Sequence, residues 1–212
     1  MSSKTSNCLK KAKSEENESS ITSAKKTLLS EAEAGGAFSI LKTKILSIQQ
    51  WNEHGSLSTY ELFDKAGNSL KTDEIFPGVF IRIWLKGSGK YDWVKVIDIF
   101  EAEDEFVITV QPTYDPTEEN PDKNLISHFF TSELTNNFCI VRNFKTVTFY
   151  VVGLDEKLNM NKTENTLETV RNIGAKLGSY LGIQKGEWER FSEGFINSTF
   201  EEVSNKRKNN SE

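Results

Sequence analysis

The sequence predicts an α+β fold in which an antiparallel, strongly bent sheet or a small SH3- or OB-like barrel is followed by two C-terminal helices. Three observations favour this fold. Apolar and polar residues alternate in short segments between residues 38 and 153, turns rich in Gly, Asn and Asp separate these segments, and apolar residues recur at helical intervals from residue 164 onward. We therefore expect the strands to come first and the helices to pack on the sheet.

Residues 1–37 are predicted to form a disordered charged tail, because Ser, Lys, Glu and Asn dominate them. A short helix is expected within this tail at residues 25–34, where Ser30 and Glu33 match a capping box. The pair of glycines that follows predicts the end of this helix. A helix this short is unstable alone in water, so we expect it to be ordered only by docking.

The β-rich domain is assigned to residues 38–153. Its strands are predicted at residues 38–48, 60–63, 79–85, 91–99, 106–110, 138–142 and 146–152. Residues 112–122 hold three of the four prolines and predict a loop. Residues 125–134 fit either a helical turn or a strand.

Two helices are predicted in residues 164–203, and a basic tail in residues 204–212. The apolar faces of the two helices are formed by Leu167, Val170, Gly174, Leu177 and Leu181, and by Trp188, Phe191, Phe195 and Thr199. Gly182 lies between the two sets and is expected to end the first helix.

Charge and hydropathy argue against two classes of partner. The formal net charge is −5, and the two tails are net basic, so the central part of the chain is acidic. An acidic body does not favour binding to a phosphate backbone, so nucleic acid is not an expected partner. No apolar stretch is long enough for a membrane helix, and the N-terminus lacks the apolar core of a secretory signal. These features predict a cytoplasmic protein without a membrane partner, and we expect a bacterial source.

The cysteines and histidines predict neither a metal site nor a disulfide framework. The chain has two of each, and their spacings match no zinc-ligand pattern. Cys8 lies in the N-terminal tail, whereas Cys139 lies between apolar residues of a predicted strand. We therefore expect Cys139 to be a buried, inert thiol, although a neighbouring base would make it a nucleophile. The sequence holds no cofactor motif, and no cofactor is expected.

A catalytic pair is suggested only by His128 and Ser132. On a helix these residues would be neighbours, as a base and a nucleophile must be. The apolar Phe129 and Phe130 beside His128 favour instead a histidine whose ring is held at an interface. The sequence therefore leans against an enzyme, and a hydrolase that uses His128 is the alternative.

Aromatic residues in the predicted strands are the strongest indication of a binding surface. Strand alternation places Trp84 on the polar side of its strand, beside Arg82. An exposed aromatic residue there would anchor a protein partner or stack a nucleobase, whereas a C-terminal helix packed over it would make it part of the core. We take Trp84, Arg82 and Trp93 as candidate contacts, together with Leu28 and Leu29 of the predicted tail helix.

The leading functional hypothesis is a non-enzymatic protein-interaction or assembly module, such as a subunit or adaptor of a larger bacterial complex. It depends on the missing catalytic constellation, on the aromatic strands, and on tails that would gain order on contact with a partner. A protein partner is expected, and an oligomer is compatible with the sequence. The alternatives are single-stranded nucleic-acid binding through an aromatic barrel face and an inhibitor or immunity-type protein.

Overall fold

In the described part of the chain, a strand and two helices are followed by six strands and a long helix. The computed structural model describes residues 19–55, 57–86, 91–128, 130–155 and 167–209, with the backbone alone described for residues 167–184. The elements are β1 (Ser20–Thr27), α1 (Glu31–Ile45), α2 (Ile48–His54), β2 (Ser58–Phe63), β3 (Phe80–Leu85), β4 (Tyr91–Glu101), β5 (Glu105–Pro112), β6 (Thr135–Asn143), β7 (Thr146–Leu154) and α3 (Leu167–Asn209).

The seven strands form one antiparallel sheet in the order β1-β7-β6-β5-β4-β3-β2. Strands β2 to β6 each pair with the next strand along the chain, and β1 pairs with β7. A register shift between Val96 and Asp98 bends β4, and the sheet as a whole is a curled half-barrel. The predicted α+β class with an antiparallel, bent sheet is confirmed. An SH3- or OB-like barrel is not confirmed, because the sheet stays open and two helices separate β1 from β2.

The predicted strands after residue 57 are all present within a few residues of their predicted ends. Several of them bury residues on both faces of the sheet, one face against the helices and part of the other in smaller apolar clusters. Residues 113–128 contain no strand or helix, as their prolines predict. In the ambiguous part, residues 125–134, the described residues form bends, turns and a single bridge at Phe130.

The N-terminal part of the fold differs from the sequence prediction. Residues 25–34 hold the end of β1 and the start of α1, and the strand predicted at residues 38–48 is mostly the remainder of α1. The predicted domain boundary after residue 37 therefore falls inside a helix. The residues that α1 buries recur at helical intervals and are Ala34, Ala37, Phe38, Leu41 and Ile45. Packing of this apolar stripe outweighs the strand propensity of the β-branched residues around it.

The predicted capping box is confirmed, but it starts a longer helix than expected. The Glu33 amide donates to Ser30 Oγ at 3.2 Å, and Glu33 Oε2 accepts a hydrogen bond from the Leu29 amide at 3.1 Å. The two glycines that follow continue the helix. A Cβ atom on Gly35 would lie 2.9 Å from Nη1 of Arg142, so the bare backbone lets α1 approach β6 closely.

A single helix, α3, takes the place of the two helices predicted in residues 164–203. Gly182 lies inside α3 and does not end it. One glycine inside a helix costs about 1 kcal/mol, which burial of the helix against the sheet offsets. Residues 204–209, predicted as a tail, form the last turns of α3.

The core lies between the concave face of the sheet and the three helices. Its centre is a group of aromatic rings in which Phe191 of α3 contacts Trp51 of α2 and Phe138 of β6, with ring centroids 5.4 Å and 5.8 Å away. The Trp51 indole N–H donates to the Ile45 carbonyl oxygen at 2.8 Å, which fixes α2 relative to α1. A smaller cluster on the convex face contains Phe63, Phe80 and Trp93.

His54 joins α2 to α3, and its titration makes stability depend on pH. The ring centroid lies 4.5 Å from that of Phe195, and Nε2 lies 3.2 Å from Ser198 Oγ. Burial, and secondly the charge of Lys44, hold the pKa of His54 below its ordinary value of 6.5. The unfolded chain therefore binds this proton more readily than the folded protein does.

We expect the free energy of unfolding to fall as the pH drops through about 6.5 and below. A His54→Phe variant keeps a ring against Phe195 and removes the titrating group, so its unfolding free energy should decline less over this pH range. Urea denaturation at a series of pH values measures both proteins. An equal acid-dependent decline in the two proteins would contradict the assignment.

Candidate functional site

A cavity lies between the concave face of the sheet and helices α2 and α3. Its lining residues are Trp51, Ser58, Tyr60, Ile83, Leu85, Asp92, Val94, Val110, His128, Asn136, Phe138, Glu187 and Trp188. The cavity volume is about 50 Å³. This volume is large enough for roughly three water molecules.

Most of the cavity wall is apolar and aromatic. The Trp51 ring lies 4.5 Å from the Phe138 ring and 5.5 Å from the Tyr60 ring, measured between centroids. Trp188 of α3 lies 5.5 Å from Phe138 and is only half-buried. Such a wall removes apolar ligand surface from water, which is the main source of affinity in small-molecule sites.

Tyr60 places a buried hydroxyl in this apolar wall. Its side chain is 2% exposed, and the hydroxyl has no well-oriented hydrogen-bond partner in the described protein, although Ser58 lies beside it. Burial, and secondly the charge of Glu187, raise the pKa of Tyr60 well above its ordinary range. The hydroxyl is therefore protonated at physiological pH and available both to donate and to accept one hydrogen bond.

β2 is a terminal strand of the sheet, and on the side away from β3 its backbone at Tyr60 is bound by Asn52. The Tyr60 amide donates to Asn52 Oδ1 at 2.7 Å, and Asn52 Nδ2 donates to the Tyr60 carbonyl oxygen at 2.9 Å. The Asn52 side chain thus takes the place of a neighbouring strand. These two hydrogen bonds hold the backbone of β2 at Tyr60 against α2.

Glu187 brings a carboxylate from α3 into the same wall. The residue is 3% exposed. Its Oε1 accepts hydrogen bonds from the Leu57 amide at 2.9 Å and from the Ser58 amide at 3.1 Å, and its Oε2 also contacts the Leu57 amide. These bonds are charge-assisted and buried, so they fix α3 to the start of β2.

His128 contributes an imidazole from the loop between β5 and β6. It is 4% exposed, and its Nδ1 accepts a hydrogen bond from the Phe130 amide at 3.0 Å. In the neutral ring the proton must then be on Nε2. Asn136 and Asp92 complete the polar part of the lining. The cavity therefore combines a few polar groups with a largely aromatic wall.

The predicted pair of His128 and Ser132 does not have the helical arrangement on which that prediction depends. None of the described residues from 127 to 134 is helical. His128 is buried and lines the cavity, whereas Ser132 lies outside the lining and its carbonyl accepts a hydrogen bond from Gln111. The structure thus places only His128 at the candidate site.

Cys139 is fully buried in β6, as its apolar neighbours predict, but it is not a thiol. It is disulfide-bonded, which corrects the expectation of an inert free thiol. A disulfide sulfur is not a nucleophile, so the alternative of a reactive cysteine is removed as well. Cys8 lies outside the described residues.

The predicted contacts Arg82, Trp84 and Trp93 lie on the convex face, opposite the cavity. The Trp84 ring is half-buried and lies 5.0 Å from the Tyr91 ring, so no C-terminal helix covers it. The Arg82 guanidinium lies 4.4 Å from the Tyr91 ring centre and pairs with Glu61. Trp93 is 1% exposed and belongs to the convex cluster, so it presents no contact surface.

The remaining predicted contacts, Leu28 and Leu29, follow β1 rather than lying in a tail helix. Leu28 is buried in the main core, and Leu29 is 69% exposed. Both line an open groove beside the C-terminal turns of α3, near Lys26, Arg207 and Lys208. Of the two leucines, only Leu29 presents an apolar surface to solvent.

Two kinds of site are absent from the described part of the chain. No three His, Cys, Asp or Glu side chains among the described residues lie close enough together to hold a metal ion. In the same ranges, no helix has a stretch long and apolar enough to cross a membrane.

Sequence reasoning misses Tyr60, Ser58 and Glu187 as members of a site. In the sequence Tyr60 is only one of several strand aromatics, and Glu187 lies in an ordinary polar stretch of α3. A weak signal for Glu187 is its place beside Trp188 on a helix predicted to pack on the sheet. The contact between these residues depends on the tertiary fold.

Comparisons with known proteins do not identify this chain. No family model and no curated protein matches it. Among solved structures, it is similar to a hypothetical protein from Helicobacter pylori, with 4% identity over 85% of this chain and 87% of that chain and a TM-score of 0.47. A Thermus thermophilus protein has 6% identity over 85% and 97% of the two chains and a TM-score of 0.43. A Mycobacterium smegmatis protein has 11% identity over 91% and 94%, with a TM-score of 0.41. Similarity at this level carries no argument about function.

Replacing Tyr60 with phenylalanine tests whether its hydroxyl is unpaired. The Tyr60→Phe change keeps the ring and removes a buried polar atom, so we expect the free energy of unfolding to rise by about 1 kcal/mol. Tyr91→Phe is the matched control, because Tyr91 is 43% exposed, and we expect its effect to stay within about 0.5 kcal/mol. Urea denaturation measures both variants. A loss of stability in Tyr60→Phe would show that the hydroxyl has a protein partner.

Proposed function

We propose that this protein binds a small, mainly apolar molecule that carries one hydrogen-bonding group. The ligand would lie in the cavity between the concave face of the sheet and α3. The observation that carries this proposal is the Tyr60 hydroxyl, which is buried and unpartnered in a wall that is otherwise aromatic. A ligand group that paired with this hydroxyl would remove the cost of leaving it unsatisfied.

The size of the cavity sets the size of the ligand. The cavity volume of about 50 Å³ admits only a small ligand unless a lining side chain shifts. Trp188 is the lining ring that is only half-buried, so it is the side chain best placed to shift when a larger ligand enters. A single aromatic ring with a polar substituent fits these dimensions.

The charges in the wall favour a neutral ligand over an anion. The described lining includes the carboxylates of Glu187 and Asp92 and contains no Lys or Arg. An anionic group would find no Lys or Arg among the described lining residues to replace its hydration. A hydroxyl, carbonyl or amide group on the ligand is the better match for Tyr60.

The sequence predicts a protein that binds a protein partner. This proposal also describes a binding protein, but its ligand is a small molecule. It gives His128 a place in the wall of a binding cavity, where Nδ1 is held by the Phe130 amide. A hydrolase reaction at His128 gains no support from Ser132, which is not part of the lining. Binding is therefore the function that the geometry favours.

A pair of neutral aromatic probes tests the proposal. We expect p-cresol to bind more tightly than toluene by about tenfold, because only p-cresol can pair with the Tyr60 hydroxyl. Isothermal titration measures both affinities, and quenching of tryptophan fluorescence would report occupancy of a cavity that Trp51 and Trp188 line.

Two variants show whether the preference arises in the cavity. Tyr60→Phe should abolish the difference between p-cresol and toluene, whereas Tyr91→Phe, on the convex face, should leave it unchanged. Equal affinities of the two probes in the natural protein, or no binding of either, would argue against the proposal.

A second candidate function is binding of a protein partner at the convex face. It is favoured by one observation, that Trp84, Tyr91 and Arg82 form a contiguous, partly exposed group. These residue types dominate the energetics of protein interfaces. Affinity capture from native lysate, with the natural chain and with Trp84→Ala, tests it. A partner set that did not change in the variant would remove this candidate.

A further inference from the structure

One edge of the sheet has no covering strand or side chain in the described protein. β1 is the terminal strand, and the Leu28 amide that follows it donates to the Lys145 carbonyl oxygen at 2.8 Å, on the side of β7. Backbone groups alternate in direction along a strand, so the amides and carbonyls of Ile21, Ser23, Lys25 and Thr27 point away from β7. Within the described ranges, none of these outward groups has a hydrogen-bond partner.

A side-chain contact supports this assignment of directions. The hydroxyls of Thr27 and Thr146 are 2.8 Å apart, and the two residues are paired across β1 and β7. Side chains approach more closely in antiparallel pairs that do not exchange backbone hydrogen bonds. Thr27 is therefore in such a pair, and its own amide and carbonyl point outward.

At the opposite edge of the same sheet, outward backbone groups of the terminal strand β2 do have hydrogen-bond partners. On β2, the outward amides of Ser58 and Tyr60 are bound by Glu187 and Asn52, and the Leu62 carbonyl accepts a hydrogen bond from the Leu70 amide. The chain thus closes one edge with its own groups and leaves the other open. An open edge with several free donors and acceptors is a template for another strand.

We propose that β1 pairs with β1 of a second copy of this chain, in antiparallel register about a twofold axis at Ala24. This register places Ser23 opposite Lys25 of the second copy, and Ile21 opposite Thr27. All four outward residues then form hydrogen-bonded pairs, and the two sheets become one continuous sheet across the dimer.

The sequence of β1 favours this register over its neighbours. A shift of two residues in one direction brings Lys25 opposite Lys25 of the second copy, which is unfavourable for like charges. A shift of two residues in the other direction loses one of the four hydrogen-bonded pairs. In the proposed register Lys26 lies opposite Thr22, so no two lysines face each other directly.

Exposed apolar side chains lie near both ends of the edge. Ile21 is 44% exposed and Leu29 is 69% exposed. Twofold pairing brings Ile21 of each copy toward the end of β1, close to Leu29 of the other copy. Both side chains would lose contact with water there, which adds an apolar contribution to the backbone hydrogen bonds.

The lysines weaken the dimer at low salt without preventing it. The two Lys25 side chains become diagonal neighbours across the axis, at roughly 7–8 Å. Salt screens this repulsion. We therefore expect the dimer to be tighter at high salt than at low salt, which is the reverse of an interface held by ion pairs.

Sedimentation of the full chain over a wide range of concentration tests the proposal. We expect a reversible dimer in the natural protein. Ser23→Pro and Lys25→Pro each remove one outward amide that the monomer does not use, so each should raise the dimer dissociation constant by about tenfold or more. Their thermal unfolding at low concentration should stay close to that of the natural protein.

Ala24→Pro is the matched control. Its amide points toward β7, so the change should lower the unfolding temperature of the monomer, in contrast to the two outward variants. A monomer at every concentration would overturn the proposal. A dimer that Ser23→Pro and Lys25→Pro leave unchanged would also overturn it, because another surface would then form the interface.

Discussion

The packing of Phe191 of α3 into the concave face of the sheet is the contact on which the rest of the structure depends. Its ring touches Trp51 of α2, Phe138 of β6 and Phe149 of β7, with centroid distances of 5.4, 5.8 and 6.1 Å. One side chain therefore fixes the distance between α3, α2 and the sheet. That distance sets the width of the cavity, because Trp188 and Glu187 lie close to Phe191 on the same helix, about one turn away.

The covering of the β2 edge and the binding cavity share a residue. The Glu187 carboxylate accepts hydrogen bonds from the backbone at the start of β2 and also lies in the cavity wall beside Tyr60. A movement of α3 that widened the cavity would stretch these buried, charge-assisted bonds. Ligand entry past the half-buried Trp188 ring therefore breaks fewer contacts than a displacement of the helix would.

Local pattern is enough to predict the strands and not enough to predict the first helix. Polar Arg82 lies between apolar Ile81 and Ile83, and this strand-like signal lies within a single segment. The segment around Phe38 and Ile40 carries both a strand-like and a helix-like pattern, and contacts of α1 with distant β6 and β7 decide between them. Gly182 is a stop signal by local rules, but the helix continues through it. His128 is found by its residue type, whereas the unpaired state of Tyr60 depends on which groups surround it in space.

The choice of tyrosine at position 60 is the strongest argument that the cavity has a ligand with a polar group. Phenylalanine would fill the same space beside Trp51 and would leave no buried hydroxyl to satisfy. A purely apolar ligand would leave the hydroxyl unpaired, so its burial would gain nothing from Tyr60. A ligand that paired its own polar group with the hydroxyl would satisfy it and would also bury apolar surface against the aromatic wall. The hydrogen bond to Tyr60 and the burial of apolar surface both favour binding only when the ligand is amphiphilic. The geometry therefore favours an amphiphilic ligand.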